Sequence, residues 1–123
     1  MPEKNKIYIM GSVVGGRKTG RLLGFPTANI KVSSDLTVGL GIYAGYVTIE
    51  GEKYQSALYL AGDNVVEAFI FDFSGDLYGK EVQVEIIKKI RDKRHFENDE
   101  EARSQITKDV LEIKEFLKIS LKK

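Results

Sequence analysis

The stretch that decides the fold is EVQVEIIKKIRDKRHFENDEEARSQITKDVLEIKEFL, residues 81–117, because two different periodicities meet inside it. In Val82-Gln83-Val84-Glu85-Ile86 apolar and polar side chains alternate. That period of two turns one face of a β-strand to a core and the other to water. After Ile90 the pattern changes to a charged connection, Arg91-Asp92-Lys93-Arg94-His95-Phe96. Asn98 then stands three residues before Glu101, a spacing that satisfies orphan N–H groups at a helix start. Ala102, Ile106, Val110, Ile113 and Leu117 follow at intervals of 4, 4, 3 and 4, a single apolar stripe along a helix. A strand that needs a core is therefore followed by a helix that needs a surface to cover.

Working backward, residues 6–90 read as short β-type runs divided by Gly, Asn, Asp and Ser. The candidate strands are Lys6–Met10 continuing to Val14, Ala28–Val32, Ile42–Glu50, Lys53–Ala61, Val65–Phe73 and Glu81–Ile90. Gly51 and the group Ser74-Gly75-Asp76 punctuate this series, and the expectation is a hairpin at each. Six short strands and one terminal helix predict a mainly β fold, a six-stranded antiparallel β-barrel with a C-terminal α-helix, since closing the barrel removes exposed edges. At 123 residues the expectation is one domain over 1–123, with the barrel over about 6–90 and the helix over about 98–121. A chain of this size buries about two thirds of its unfolded surface, enough for a core without staples.

Composition narrows the function classes. Lys and Arg number 19 against 18 Asp and Glu, so the net charge of +1 lacks the cation excess that indiscriminate nucleic-acid binding uses. No nucleic-acid partner is expected. With no cysteine, disulfides, thiolate metal sites and thiol nucleophiles are excluded. The apolar run Ile7-Tyr8-Ile9-Met10 is too short for a signal core or a membrane span, so a cytoplasmic location without membrane contact is expected, and a monomer is expected separately. His95 is the only histidine, which removes Ser–His pairs and multi-histidine metal sites and leaves it as a surface loop residue.

The most informative chemistry lies in Gly11-Ser12-Val13-Val14-Gly15-Gly16-Arg17-Lys18-Thr19-Gly20-Arg21-Leu22-Leu23-Gly24-Phe25-Pro26-Thr27-Ala28-Asn29. A glycine-rich cationic loop of this kind can turn N–H groups and basic side chains toward phosphate oxygens. The spacing is not that of a Walker loop: Arg17 intrudes between Gly16 and Lys18, and Gly20 falls where a helix should start. By glycine content alone, hairpin turns account for the stretch equally well.

The string Gly20-Arg21-Leu22-Leu23-Gly24-Phe25-Pro26-Thr27-Ala28-Asn29-Ile30 resembles the signature of the riboflavin kinase family. The resemblance continues, in the family's order, through Gly41-Ile42-Tyr43-Ala44, Val66-Glu67-Ala68-Phe69-Ile70-Phe71-Asp72-Phe73, Asp76-Leu77-Tyr78-Gly79-Lys80, Ile90-Arg91, Phe96 and Gln105-Ile106 up to Asp109. It implies a Greek-key barrel with a C-terminal helix. It also implies transfer of the ATP γ-phosphoryl to the 5′-hydroxyl of riboflavin, giving FMN and ADP. By position, Thr27 and Asn29 match the family's metal ligands, for Mg²⁺ with Zn²⁺ or Mn²⁺ as alternatives, and Glu67 its catalytic base. Gly16, Arg21, Thr27, Ile70, Asp72 and Tyr78 match its ATP contacts, and Arg91, Arg94 and Phe96 its flavin contacts. Asp109, beside the helix stripe, is expected to partner the loop without a catalytic role.

Two features qualify the match. Only Ala61-Gly62-Asp63-Asn64 separates two strands where the family carries a longer flap with a second Pro-Thr, which predicts more exposed ligands. No adenylyltransferase domain accompanies the kinase motifs in these 123 residues, so FMN and not FAD is the expected product. For Glu67 the orientation matters: facing inward it would take Phe69 and Phe71 with it and stand at the edge of an aromatic pocket, whereas facing outward it would be a surface acid. The rival functions are a non-catalytic flavin- or FMN-binding barrel and an oligonucleotide-binding barrel.

Overall fold

A computed structural model describes residues 7–17, 27–33, 38–60, 62, 64–73 and 75–121. Strands β1 (Ile7–Arg17), β2 (Thr27–Val32), β3 (Gly41–Ile49), β4 (Glu52–Leu60), β5 (Val65–Ile70) and β6 (Glu81–Arg91) precede helix α1 (Asp99–Leu121). They close into an antiparallel barrel in the order β1-β2-β5-β4-β3-β6. Neighbours in sequence are neighbours in space except at β2–β3 and β5–β6.

The hairpin at Gly51 forms as the sequence predicts. Ile49 pairs with Glu52, and the two residues between them, Glu50 and Gly51, have φ of 50° and 87°. Positive φ at both central positions matches the right-handed twist of the flanking strands. The hairpin expected at Ser74-Gly75-Asp76 does not form: that segment joins β5 to β6, and β5 pairs with β2 and β4 while β6 pairs with β1 and β3. Turn residues report where a chain reverses, not which strand it meets next. The strand expected to reach Phe73 stops at Ile70: the Phe71 N–H still donates to the Gln55 carbonyl of β4, but Asp72 then turns to a φ of 60°. In the other direction β1 runs past Val14 to Arg17, so Gly15 and Gly16 are strand residues beyond a bulge, not members of a free loop.

Alternation sorts the side chains into two cores. Ile30, Leu58, Leu60, Val66, Val82 and Val84 fill the barrel interior. Outside, the α1 stripe Ile106, Val110, Ile113 and Leu117 lies on Ile42, Ala44 and Ala57 of β3 and β4. Each large stripe residue, fully removed from water, contributes roughly 2 kcal/mol. Asn98 caps the helix by accepting the Glu101 N–H at 2.8 Å, and the Glu101 carboxylate accepts the Glu97 N–H at 2.8 Å, one residue further out than a reciprocal capping box. One polar-face expectation fails. Glu85 is 2 % exposed, with Tyr8 and Tyr46 as cross-strand partners and the Lys53 ammonium at 3.2 Å. Among the described residues no helix is long and apolar enough to cross a membrane.

Candidate active site

The site is built by strand parity. Ala28 and Ile30 of β2, and Val66, Ala68 and Ile70 of β5, belong to the interior core. Their neighbours Thr27, Asn29 and Glu67 therefore turn to the outer face. In register, Asn29 opposes Glu67 across β2–β5, and Glu67 opposes Tyr59 across β5–β4. The three form one row, and Thr27 stands diagonally next to it. The Thr27 hydroxyl donates to Glu67 Oε2 at 3.0 Å, and each residue is 7 % exposed.

Glu67 thus answers neither description drawn from sequence. It faces away from the barrel interior, yet it is buried. Phe71, on the same parity, packs into the helix-side core with Tyr59, its ring 5.1 Å from that of Phe69 in an edge-on contact. Beta parity gave the correct grouping of 67, 69 and 71 but not the side. The interior of so small a barrel offers a carboxylate no partner, so the acid takes the outer face, where a hydroxyl meets it.

Two cavities lie near the row. The first, of about 350 Å³, opens at the end of β1, β2 and β5 and is lined by Thr27, Ile70 and Tyr78, together with Val13, Phe73 and Asp76. The Asp76 carboxylate accepts the Tyr78 N–H at 3.0 Å and shapes its rim. The second, of about 630 Å³, lies between the barrel and the connection to α1 and is lined by Arg91, Arg94 and Phe96, with Tyr59, Ile42 and His95. The Arg94 guanidinium sits 4.9 Å from the centroid of the Phe96 ring and that of Arg91 5.7 Å, both within cation–π range. Thr27 lines the first cavity and bonds Glu67, while Tyr59 lines the second and opposes Glu67. Glu67 itself lines neither cavity: inward-facing Val13, Ala28, Ala68 and Ile70 line the first, and Glu67 reaches it through Thr27 and the second through Tyr59.

Other expected residues fall elsewhere. Asp72 is exposed and lines neither cavity, whereas Gly16 is a strand residue whose neighbour Gly15 and partner Ala28 both line the first cavity. Arg21 lies outside the described residues. Asp109 does partner the connection, through Arg91. Tyr59 and Asp76 were not singled out from sequence: Tyr59 enters through β4–β5 register, which no motif signals, whereas Asp76-Leu77-Tyr78 carried a turn signal that could have marked its rim.

Among the described residues no three His, Cys, Asp or Glu side chains cluster, so a cation here would draw on Thr27 and Asn29, beside the Glu67 carboxylate. The donors fit a hard divalent ion. The single proton of Thr27 Oγ1 is committed to Glu67, which leaves the oxygen's lone pairs for a cation, and Asn29 supplies an amide oxygen.

Comparison with known proteins agrees with this architecture. The flavokinase (riboflavin kinase) family model matches residues 3–117. The bifunctional riboflavin kinase/FMN adenylyltransferase of Buchnera aphidicola is 33% identical over 121 residues, covering 90% of this chain and 39% of that protein. The RNA-binding riboflavin kinase RibR of Bacillus subtilis is 36% identical over 112 residues, covering 83% of this chain and 47% of that protein. This chain therefore spans less than half the length of these two relatives. In fold, the riboflavin kinase of Trypanosoma brucei superposes with a TM-score of 0.69 at 24% identity, covering 96% of this chain and 81% of that one. With the family's pattern running through almost every element from β1 to α1, the chain belongs to the riboflavin kinase family.

Proposed function

We propose that the chain is a riboflavin kinase that moves the γ-phosphoryl of ATP to the 5′-hydroxyl of riboflavin, with FMN and ADP as products. The observation that carries this reading is one buried carboxylate, Glu67, bonded to Thr27 at one cavity and paired in register with Tyr59 at a second cavity of different character. A transfer between two substrates needs such a group where they meet.

The nucleotide takes the first cavity, beside Thr27, Ile70 and Tyr78, and the flavin ring the second, against Phe96 and Arg94. The ribityl chain then extends toward Glu67. Because Oε2 receives the Thr27 hydroxyl, Oε1 is the oxygen that accepts the proton of the 5′-hydroxyl as its oxygen bonds phosphorus and the bond to the ADP oxygen breaks. Thr27 holds the carboxylate in its orientation. A divalent cation, Mg²⁺ by preference, held by Thr27 Oγ1 and the Asn29 amide oxygen, would neutralise charge on the phosphates. The near balance of 19 basic and 18 acidic residues supports a nucleotide over a nucleic acid as ligand.

Incubation with riboflavin, ATP and Mg²⁺, followed by chromatography of flavins and nucleotides, tests the reading. FMN and ADP should form in equal amounts, and Glu67→Gln, which still accepts the Thr27 hydroxyl, should lose about 10²–10⁴ in kcat. Undiminished turnover in that variant removes Glu67 from the chemistry. Flavin binding without FMN formation by the unaltered chain would instead establish a binding barrel.

A further inference from the structure

We propose that Gln105 and Asp109, on α1, are positioning residues that hold Arg94 and Phe96 at the mouth of the second cavity and so set the affinity for the flavin; this rests on the kinase reading above. The two stand one turn apart on the same helix face. Asp109 is 2 % exposed. Its Oδ1 accepts Arg91 Nε at 3.0 Å and Gln105 Nε2 at 3.0 Å, and its Oδ2 accepts Arg91 Nε at 2.8 Å and lies 2.7 Å from Arg91 Nη2. Arg91 Nη1 donates to the Asp92 carbonyl at 3.0 Å, so every guanidinium nitrogen of Arg91 already has a protein partner. Arg91 is therefore held in a fixed position, with the second N–H of each terminal nitrogen left beyond these contacts.

Gln105 carries the chain onward. Its Oε1 accepts Arg94 Nη1 at 2.7 Å while its amino group donates to Asp109. An amide placed between a cation and an anion has only one workable direction, carbonyl to the cation and N–H to the carboxylate. The series Arg91–Asp109–Gln105–Arg94 thus ties the end of β6 to the far part of the connection, whose next aromatic, Phe96, lies against both guanidinium groups. Neither Gln105 nor Asp109 lines the second cavity, whereas Arg91, Arg94 and Phe96 all do. The helix that covers the barrel also fixes the geometry of the flavin side, through two residues that do not touch the ligand. A glutamate at 105 would face Asp109 with a like charge, and an apolar residue would make neither bond.

The test is Gln105→Met, which keeps length and removes both bonds. Because Gln105 is partly exposed, the variant should melt within a few degrees of the unaltered chain. The KM for riboflavin and the Kd for FMN, read from flavin fluorescence, should each rise about tenfold, the size expected when hydrogen bonds to charged partners are lost. The KM for ATP should stay within about twofold. An unchanged riboflavin KM, or equal rises for both substrates, would overturn the positioning role, since a general structural defect does not distinguish the two cavities. If the unaltered chain binds FMN without turnover, the kinase reading fails and the FMN Kd alone decides the role of Gln105. If it binds no flavin, both fall.

Discussion

Replacing Thr27 by Val separates the hydrogen bond at the site from everything else about that residue. Valine is nearly isosteric and prefers β-structure, so neither a cavity nor a propensity penalty enters. What is lost is one bond, 3.0 Å long, from a 7 % exposed hydroxyl to a 7 % exposed carboxylate. A hydrogen bond to a charged group contributes about 1.5–3 kcal/mol, and here the abandoned acceptor stays buried. For a chain of this length, between the size classes with known scaling, each kcal/mol moves Tm by about 3–5 °C, so the expected fall is about 5–15 °C. Urea unfolding should give the same difference with an unchanged slope. Thr27→Ser keeps the hydroxyl and should recover most of the loss. Turnover should fall in the valine variant beyond what its unfolded fraction explains, because the carboxylate loses its aim and a cation loses a ligand. A valine variant as stable and as active as the unaltered chain would refute the reasoning, and one that is destabilised but fully active would confine Thr27 to a structural role.

Further outcomes follow from the packing and the surface charges. A Cβ added at Gly45 would stand 2.0 Å from the Glu85 carbonyl oxygen and 2.7 Å from Leu58 Cδ1, so Gly45→Ala should cost about 1–3 kcal/mol or more in urea unfolding by forcing β3 away from β6; an unmoved midpoint would contradict that contact. The hydrogen bond from the Lys89 ammonium holds the Asp92 carboxyl below its ordinary value of 3.8. With its pKa lowered in the folded state, this group favours folding above about pH 4, and that small, solvent-screened contribution is lost as pH falls through the lowered value. Lys89→Ala should bring the Asp92 titration, followed by NMR, back up toward 3.8, and an unmoved titration would disprove the cause.

The parts of the fold with one-sided patterns were legible in the sequence. The stripe Ala102–Leu117 could only be a helix laid on something, and all five of its residues are buried. Gly51 marked a two-residue reversal and the chain pairs there. What could not be read is whatever depends on pairing partners. The run Val65-Val66-Glu67-Ala68-Phe69-Ile70 is apolar on both parities apart from Glu67, so period two names the residues that share a face without naming the inner one. The same gap hid the burial of Glu85, which comes from neighbours on β1 and β3, and the separation of β5 from β6 in the barrel. In the site, Thr27, Asn29 and Glu67 were found as a set through family resemblance, and register brings them together. Tyr59, which completes the row, needed the coordinates.

The central claim is that Glu67 stands where a nucleotide and a flavin meet. A crystal structure of the chain with ADP, FMN and Mg²⁺ bound together tests it most directly. The account predicts ADP phosphates beside Thr27, the isoalloxazine against Phe96 and Arg94, and the FMN 5′-oxygen within about 3 Å of the Glu67 carboxylate. Both ligands on one side of the Asn29–Glu67–Tyr59 row, or a 5′-oxygen beyond reach of Glu67, would contradict it.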